Sequence, residues 1–165
     1  MRLLGLDPGL RHTGWGIINS IDDKISWLAS GNISPKISLS LSERLKEIHQ
    51  GLNSIVKKYK PSVAAIEEVF VNMNGQSTLK LGMARGAAIT ACSINEMPIY
   101  EYAPTRVKQS VTGSGKSKKD QVASMVNILL PGCEIKSEDE SDALAVAICH
   151  TIFASSKIHQ MNLRK

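Results

Sequence analysis

The hydrophobic pattern of this chain changes period as it proceeds. It opens on a short apolar run, Leu3-Leu4-Gly5-Leu6, which ends at Asp7 and is stopped by Pro8-Gly9; this is the signature of a strand followed by a turn. A second strand is predicted from about Gly14 to Ile18, a turn at Asp22-Asp23, and a third strand from Ile25 to Ala29, together an antiparallel meander. The period then becomes helical. Ser40-x-x-Glu43 is a capping-box pattern, and Leu41, Leu45, Ile48, Leu52, Ile55 and Tyr59 follow at spacings of three and four until Pro61, which predicts an amphipathic helix. Val63 to Ile66 reads as a buried strand running into Glu67-Glu68, and Leu79 to Asn95 as a helix rich in small residues. On that helix Gly82 and Gly86 stand four apart, a spacing that suits close packing on a sheet, or alternatively a subunit contact.

Ile99 to Tyr102 is a further strand, and Pro104 opens a short helix. Beyond a Gly/Lys loop from Gly113, Ser117-x-x-Asp120 predicts a cap for a helix carrying Val122, Met125, Val126 and Leu129, ended by Pro131-Gly132. Ser137-x-x-Glu140 predicts a cap for a last helix through Asp142, Leu144, Ala145, Ile148 and Ile152. Three meander strands, then helices alternating with two more strands, predict an α/β domain with a mixed sheet.

Composition narrows the class. The 165 residues suit one domain, and at 42% hydrophobic the chain is neither disordered nor membrane-like in composition. Asp7 and Pro8 interrupt the opening too early for a signal peptide, so a cytoplasmic protein is expected. Cys92, Cys133 and Cys149 are scattered and odd in number, which argues against a disulfide framework or a structural zinc site. The formal charge is +5, from 20 Lys+Arg and 15 Asp+Glu, compatible with nucleic-acid binding. Basic residues gather at Lys108, Lys116, Lys118 and Lys119, and acidic ones at Glu138, Asp139, Glu140 and Asp142. An acidic knot in a basic chain points to work other than solubility.

Four carboxylates form a pattern. Asp7 and Glu67 each close a predicted strand. If those strands are parallel neighbours, both acids emerge at one sheet edge, where open α/β sheets commonly place ligands. Asp139 and Asp142 are three apart and share one helix face. Taken singly, each has a duller role: a turn residue, an exposed strand-end acid, acids complementing a helix dipole. Together they would repel one another unless cations or protons neutralise them. With no His or Cys signature beside them, such oxygen ligands suit Mg²⁺ or Mn²⁺. Two such ions ~4 Å apart support phosphodiester hydrolysis.

The contexts of these acids resemble the RuvC family of Holliday-junction resolvases. The matching pieces are LGLDPGLRHTGWG, AIEEVFVNMN with LKLGMARGAA, EYAPTRVKQSVTGSG and DESDALAVAICH, in the family's order and across nearly the whole chain up to about Phe153. The resemblance implies an RNase H-like fold, with a five-stranded mixed sheet flanked by helices in a nuclease domain over residues 1–153. Residues 154–165 are then a polar, basic tail, disordered or facing DNA. It implies a homodimer that nicks a four-way DNA junction symmetrically, working with the branch-migration complex of RuvA and RuvB. By motif position it places the metal-binding catalytic acids at Asp7, Glu67, Asp139 and Asp142, with two Mg²⁺ per site. Some relatives have His where Asp139 stands, so the metal preference here need not match theirs. The junction-engaging aromatic falls on Phe70 and the basic DNA contacts on Lys108 and Lys119, with Lys116 and Lys118 adjacent.

Rival readings are weaker. Gly113-Ser-Gly-Lys-Ser looks like part of a phosphate loop, but the full pattern needs Gly where Ser110 stands, and it follows a helix. Asp7-x-Gly9 with Gly14 and Gly16 resembles the phosphate loop of actin-like ATPases, which need two such domains. An RNase H-like nuclease acting on RNA–DNA hybrids or ribosomal RNA precursors would use the same metals; the EEVF segment and the Asp139/Asp142 pair favour the junction resolvase. A DNA-binding module without catalysis would not need Asp7 at all.

Overall fold

The computed structural model describes residues 1–22, 24–69 and 75–162, with 155–162 described by backbone alone. The elements run β1 (Arg2–Asp7), β2 (Thr13–Ile21), β3 (Lys24–Ile33), α1 (Leu41–Tyr59), β4 (Val63–Glu67), α2 (Gly75–Ile94), β5 (Ile99–Tyr102), α3 (Pro104–Thr112), α4 (Lys119–Leu129) and α5 (Glu138–Asn162). The strands form one sheet in the order β3-β2-β1-β4-β5. β1 pairs antiparallel with β2 and parallel with β4, and β4 pairs parallel with β5. β1 is central, which explains its unbroken apolar run: Leu3, Leu4 and Leu6 are all fully buried, on alternate faces.

Each face of the sheet has its own core. Leu4, Leu6, Ile17 and Ile66 pack with Ile48, Leu52 and Val56 of α1 and with Ala84, Ala88, Ala91 and Cys92 of α2. Leu3, Ile18, Val63 and Ala65 pack with Val107 and Val111 of α3, Val122 and Val126 of α4, and Leu144 and Ile148 of α5. Each fully buried Leu or Ile contributes about 1.5–3 kcal/mol of transfer free energy, so both layers are needed to hold the sheet. Among the described residues no helix is long and apolar enough to cross a membrane, and all three cysteines are free.

Several elements depart from the pattern-based expectation. β2 and β3 extend well beyond Ile18 and Ala29, through pairs such as Asn19↔Ser26 and Gly14↔Asn32. These residues pair along a sheet edge without strong burial, and hydrophobic periodicity registers burial, not pairing. In the turn between them Asp22 takes a positive φ of 47°, which Asp tolerates; Asp23 lies outside the described residues. α1 has the expected capping box: Ser40 N–H donates to Glu43 Oε2 at 2.9 Å and Glu43 N–H to Ser40 Oγ at 3.4 Å.

α2 begins a turn earlier than Leu79. Its packing face is the Ala84–Ala88–Ala91–Cys92 stripe; a Cβ built on Gly82 or Gly86 would meet nothing within 4 Å. The glycine face therefore does not pack on the sheet. α4 begins at Lys119, with Lys118 rather than Ser117 at its cap, because Ser117 Oγ is engaged by Thr112 Oγ1 at 2.7 Å while Lys118 N–H donates to Gln121 Oε1 at 2.9 Å. α5 starts where expected, Glu140 N–H donating to Ser137 Oγ at 3.2 Å, and runs on past Ile152 to Asn162.

Candidate active site

β1 and β4 lie side by side and parallel, with Leu6 opposite Ile66. The next residue on each strand, Asp7 and Glu67, therefore leaves the sheet at the same edge. The third acid arrives on α5, which crosses β1 and β2 at unusually short range. A Cβ on Gly5 would fall 2.0 Å from the Ala143 carbonyl oxygen, and one on Gly14 would fall 2.0 Å from that of Asp139. Only residues without a side chain allow the helix backbone to rest there. Its first turn is also tied to β3: Asn32 Nδ2 donates to Ser137 Oγ at 2.6 Å and Ser30 Oγ to Glu140 Oε2 at 3.1 Å. Glu140, a member of the acidic knot, is thus a buried anchor for the helix.

The result is a cavity of about 250 Å³ lined by Asp7, Glu67 and Asp142, with Lys108 of α3 and Lys119 of α4 on its wall. Asp139 does not line it. It faces an adjoining, larger cleft, though it is close enough to act electrostatically on Asp7. Among the described residues no three His, Cys, Asp or Glu side chains are grouped tightly enough to hold an ion as they stand. Burial, then repulsion from Asp142, Glu67 and Asp139, pushes the Asp7 carboxyl up to about 7. Burial and Asp142 likewise push Glu67 up to about 7 against the pull of Lys108 and Lys119. Asp142 is raised by burial and held back by Lys119.

Lys119 Nζ lies 3.3 Å from Asp142 Oδ2 and 3.3 Å from Glu138 Oε2, and Asp142 first of all raises its own pKa. The ammonium is mostly exposed, so these pairs add little to stability; their effect is to bring positive charge to the mouth of an acidic cavity. Lys116 and Lys118 are exposed and do not line it. Phe70 lies outside the described residues. Sequence reasoning missed Glu138 as a partner of Lys119. It also missed the cleft beside Asp139, whose basic residues come from three segments with no shared spacing.

A mixed five-stranded sheet in this order, with acids at the ends of two parallel central strands and on a helix laid across them, defines an RNase H-like fold with a carboxylate-lined site. The family model described as crossover junction endodeoxyribonuclease RuvC matches residues 3–150, and the chain belongs to that family. The RuvC protein of Paramagnetospirillum magneticum is 53% identical over 150 residues, covering 91% of this chain and 90% of that protein. That of Rhodospirillum rubrum is 47% identical over 158 residues, covering 96% and 94%. Among solved structures, Thermus thermophilus RuvC in complex with a Holliday junction substrate matches with a TM-score of 0.87 at 31% identity, covering 93% of this chain and 94% of that one. The yeast mitochondrial Holliday junction resolvase shares the fold, with a TM-score of 0.73 at 14% identity over 98% of this chain and 83% of that one.

Proposed function

We propose that this chain is a structure-selective endonuclease that resolves four-way DNA junctions by paired, symmetric phosphodiester hydrolysis, in recombination and DNA repair. The reading rests on the meeting of Asp7, Glu67 and Asp142, from three distant segments, in one cavity with Lys108 and Lys119. Hydrolysis of a phosphodiester needs a positioned water and positive charge against the phosphate, and this cavity offers the means to both.

The donor set fits a hard divalent cation. It consists of carboxylate oxygens, and burial together with mutual repulsion raises two of the acids to about 7. Asp7, Glu67 and Asp142, with Asp139 from the adjoining cleft, would hold Mg²⁺, two ions per site, with Mn²⁺ able to substitute. Bound there, the ions would supply an activated water and charge stabilisation of the leaving oxygen. Lys119 and Lys108 draw the phosphate toward the acids and offset their repulsion. Lys116 and Lys118, exposed beside Lys119, extend the positive surface for the DNA backbone. Phe70 is proposed to stack on an unpaired base at the crossover.

A homodimer supplies the second, symmetric nick. For its interface the proposal is the uncovered face of α2, where Gly82 and Gly86 are flanked by exposed Leu79 and Met83. RuvA and RuvB are the proposed branch-migration partners. The test is incubation of the full chain with a synthetic four-way junction and with a linear duplex, with and without Mg²⁺. The expected result is paired nicks in the junction alone and only with the metal; equal cutting of both substrates, or cutting in EDTA, would overturn the reading.

A further inference from the structure

Next to the carboxylate cavity lies a larger cleft of about 580 Å³, lined among others by Arg11, His12, Arg44, Lys80 and Asp139. Three cations against one carboxylate make it electropositive. Among the described residues no Phe, Tyr or Trp lines it, and its cations suit it to a backbone anion. It is built rather than incidental. The loop leaving Asp7 is clamped on itself, Thr13 Oγ1 donating to the Gly9 carbonyl at 2.8 Å and Gly9 N–H to Thr13 Oγ1 at 3.3 Å. Arg44 Nη2 donates to the Leu10 carbonyl at 2.8 Å and braces the same loop from α1. The Arg44 Nε is buried with no hydrogen-bond partner among the described residues, a donor still lacking an acceptor. Arg11 and Lys80 are exposed, and among the described residues they make no hydrogen bond or ion pair.

The two cavities are joined by α5. Asp139 lines the cleft and Asp142 the cavity, just under one helical turn and about 4.5 Å of rise apart. A strand that crosses this turn of α5 passes both sites.

We propose that this cleft is a second phosphate subsite, in which Arg11, Lys80 and Arg44 grip a backbone phosphate of the strand being cut, within a few nucleotides of the scissile one. It rests on the nuclease reading and fixes the path of the strand past Asp139. His12, whose Nδ1 lies 2.9 Å from Ser34 Oγ, also lines the cleft.

The test pairs the full chain with its Arg11→Ala/Lys80→Ala variant. Neither residue is buried, so the variant is expected to melt as the parent does. Junction affinity is measured in Ca²⁺ across a salt series, and then with single neutral methylphosphonates placed in turn at the phosphates flanking the cut. The expected slope of log affinity against log salt falls by roughly 1.4–1.8 in the variant. One methylphosphonate position is expected to cost the parent about fivefold or more and to cost the variant nothing further. If every position weakens both proteins alike, or the salt slope is unchanged, the subsite is refuted while junction cutting stands. If the parent shows no preference for junction over duplex, the nuclease reading falls and takes the subsite with it.

Discussion

Replacing Asp7 by Asn is expected to abolish cleavage and, without metal, to stabilise the fold. Asp7 is raised from an ordinary 3.8 to about 7, about three units. At 1.36 kcal/mol per unit this is about 4 kcal/mol against the ionised folded state above pH 7. Part of the repulsion is shared with Glu67 and Asp142, and water reaches the cavity, so the recoverable gain is about 1–3 kcal/mol. In a chain of this size that is roughly 3–10 °C in Tm. The sign follows from the proton count. Between pH 3.8 and 7 the folded chain holds a proton on Asp7 that the unfolded chain has lost, so stability from this group falls as pH rises through that window. The gain from Asn should therefore be negligible near pH 4, grow through pH 6 and level off above pH 7. Thermal melts of both proteins in EDTA at pH 4, 6 and 8 read this directly. If the Asn variant melts at or below the parent at pH 8 in EDTA, the electrostatic account of the cavity is wrong. In saturating Mg²⁺ the order should reverse, because the parent gains more from binding the ion.

Other perturbations separate the scaffold from the site. Gly5→Ala forces a Cβ to within 2.0 Å of the Ala143 carbonyl oxygen and should cost about 1–3 kcal/mol or more in urea titration; cleavage should fall further than stability explains, since α5 must retreat from β1 and take Asp142 with it. Ser40→Ala removes the cap of α1 and should cost about 1 kcal/mol with cleavage of folded protein unaltered; lost activity at full folding would tie the α1 cap to the site itself. Lys119→Met removes a cation that lowers Asp7 and Asp142 and, with Lys108, Glu67. The acid limb of the cleavage pH profile should then move to higher pH, and the salt slope of junction binding should shrink by about 0.9; an unmoved limb would detach Lys119 from the acids.

What could be read from the sequence follows from what each signal measures. β1, β4 and α1 were legible because burial on both faces, or on one stripe, writes itself into apolar spacing. The polar ends of β2 and β3 were not, since a ladder of backbone hydrogen bonds leaves no trace in side-chain type. The expected sheet-packing role of Gly82 and Gly86 failed for a related reason: small size permits close approach but does not say from which side. Gly5, Gly14 and Gly16, inside strands, were the close-approach residues, yet in the sequence they look no different. Asp7 and Glu67 were placed together by one topological assumption, parallel adjacency, which the sheet satisfies. Arg11, Arg44 and Lys80 share no period, and only the folded chain collects them.

The separation of Asp139 from Asp142 shows how a glycine can set the reach of an acid. Residues three apart on a helix differ by about 60° in direction as well as by about 4.5 Å in height, so a carboxylate pair on one face still spreads over a wide arc. How that arc is divided depends on where the helix touches the sheet. Here the contact is the Asp139 carbonyl, pressed onto β2 at Gly14 with no room for a methyl group. That contact seats the backbone of Asp139 over β2, so its carboxylate falls in the cleft, while Asp142, one turn on, falls over β1 and β4 beside Asp7 and Glu67. The distribution of acids between the two cavities is thus set by strand residues that carry no functional group.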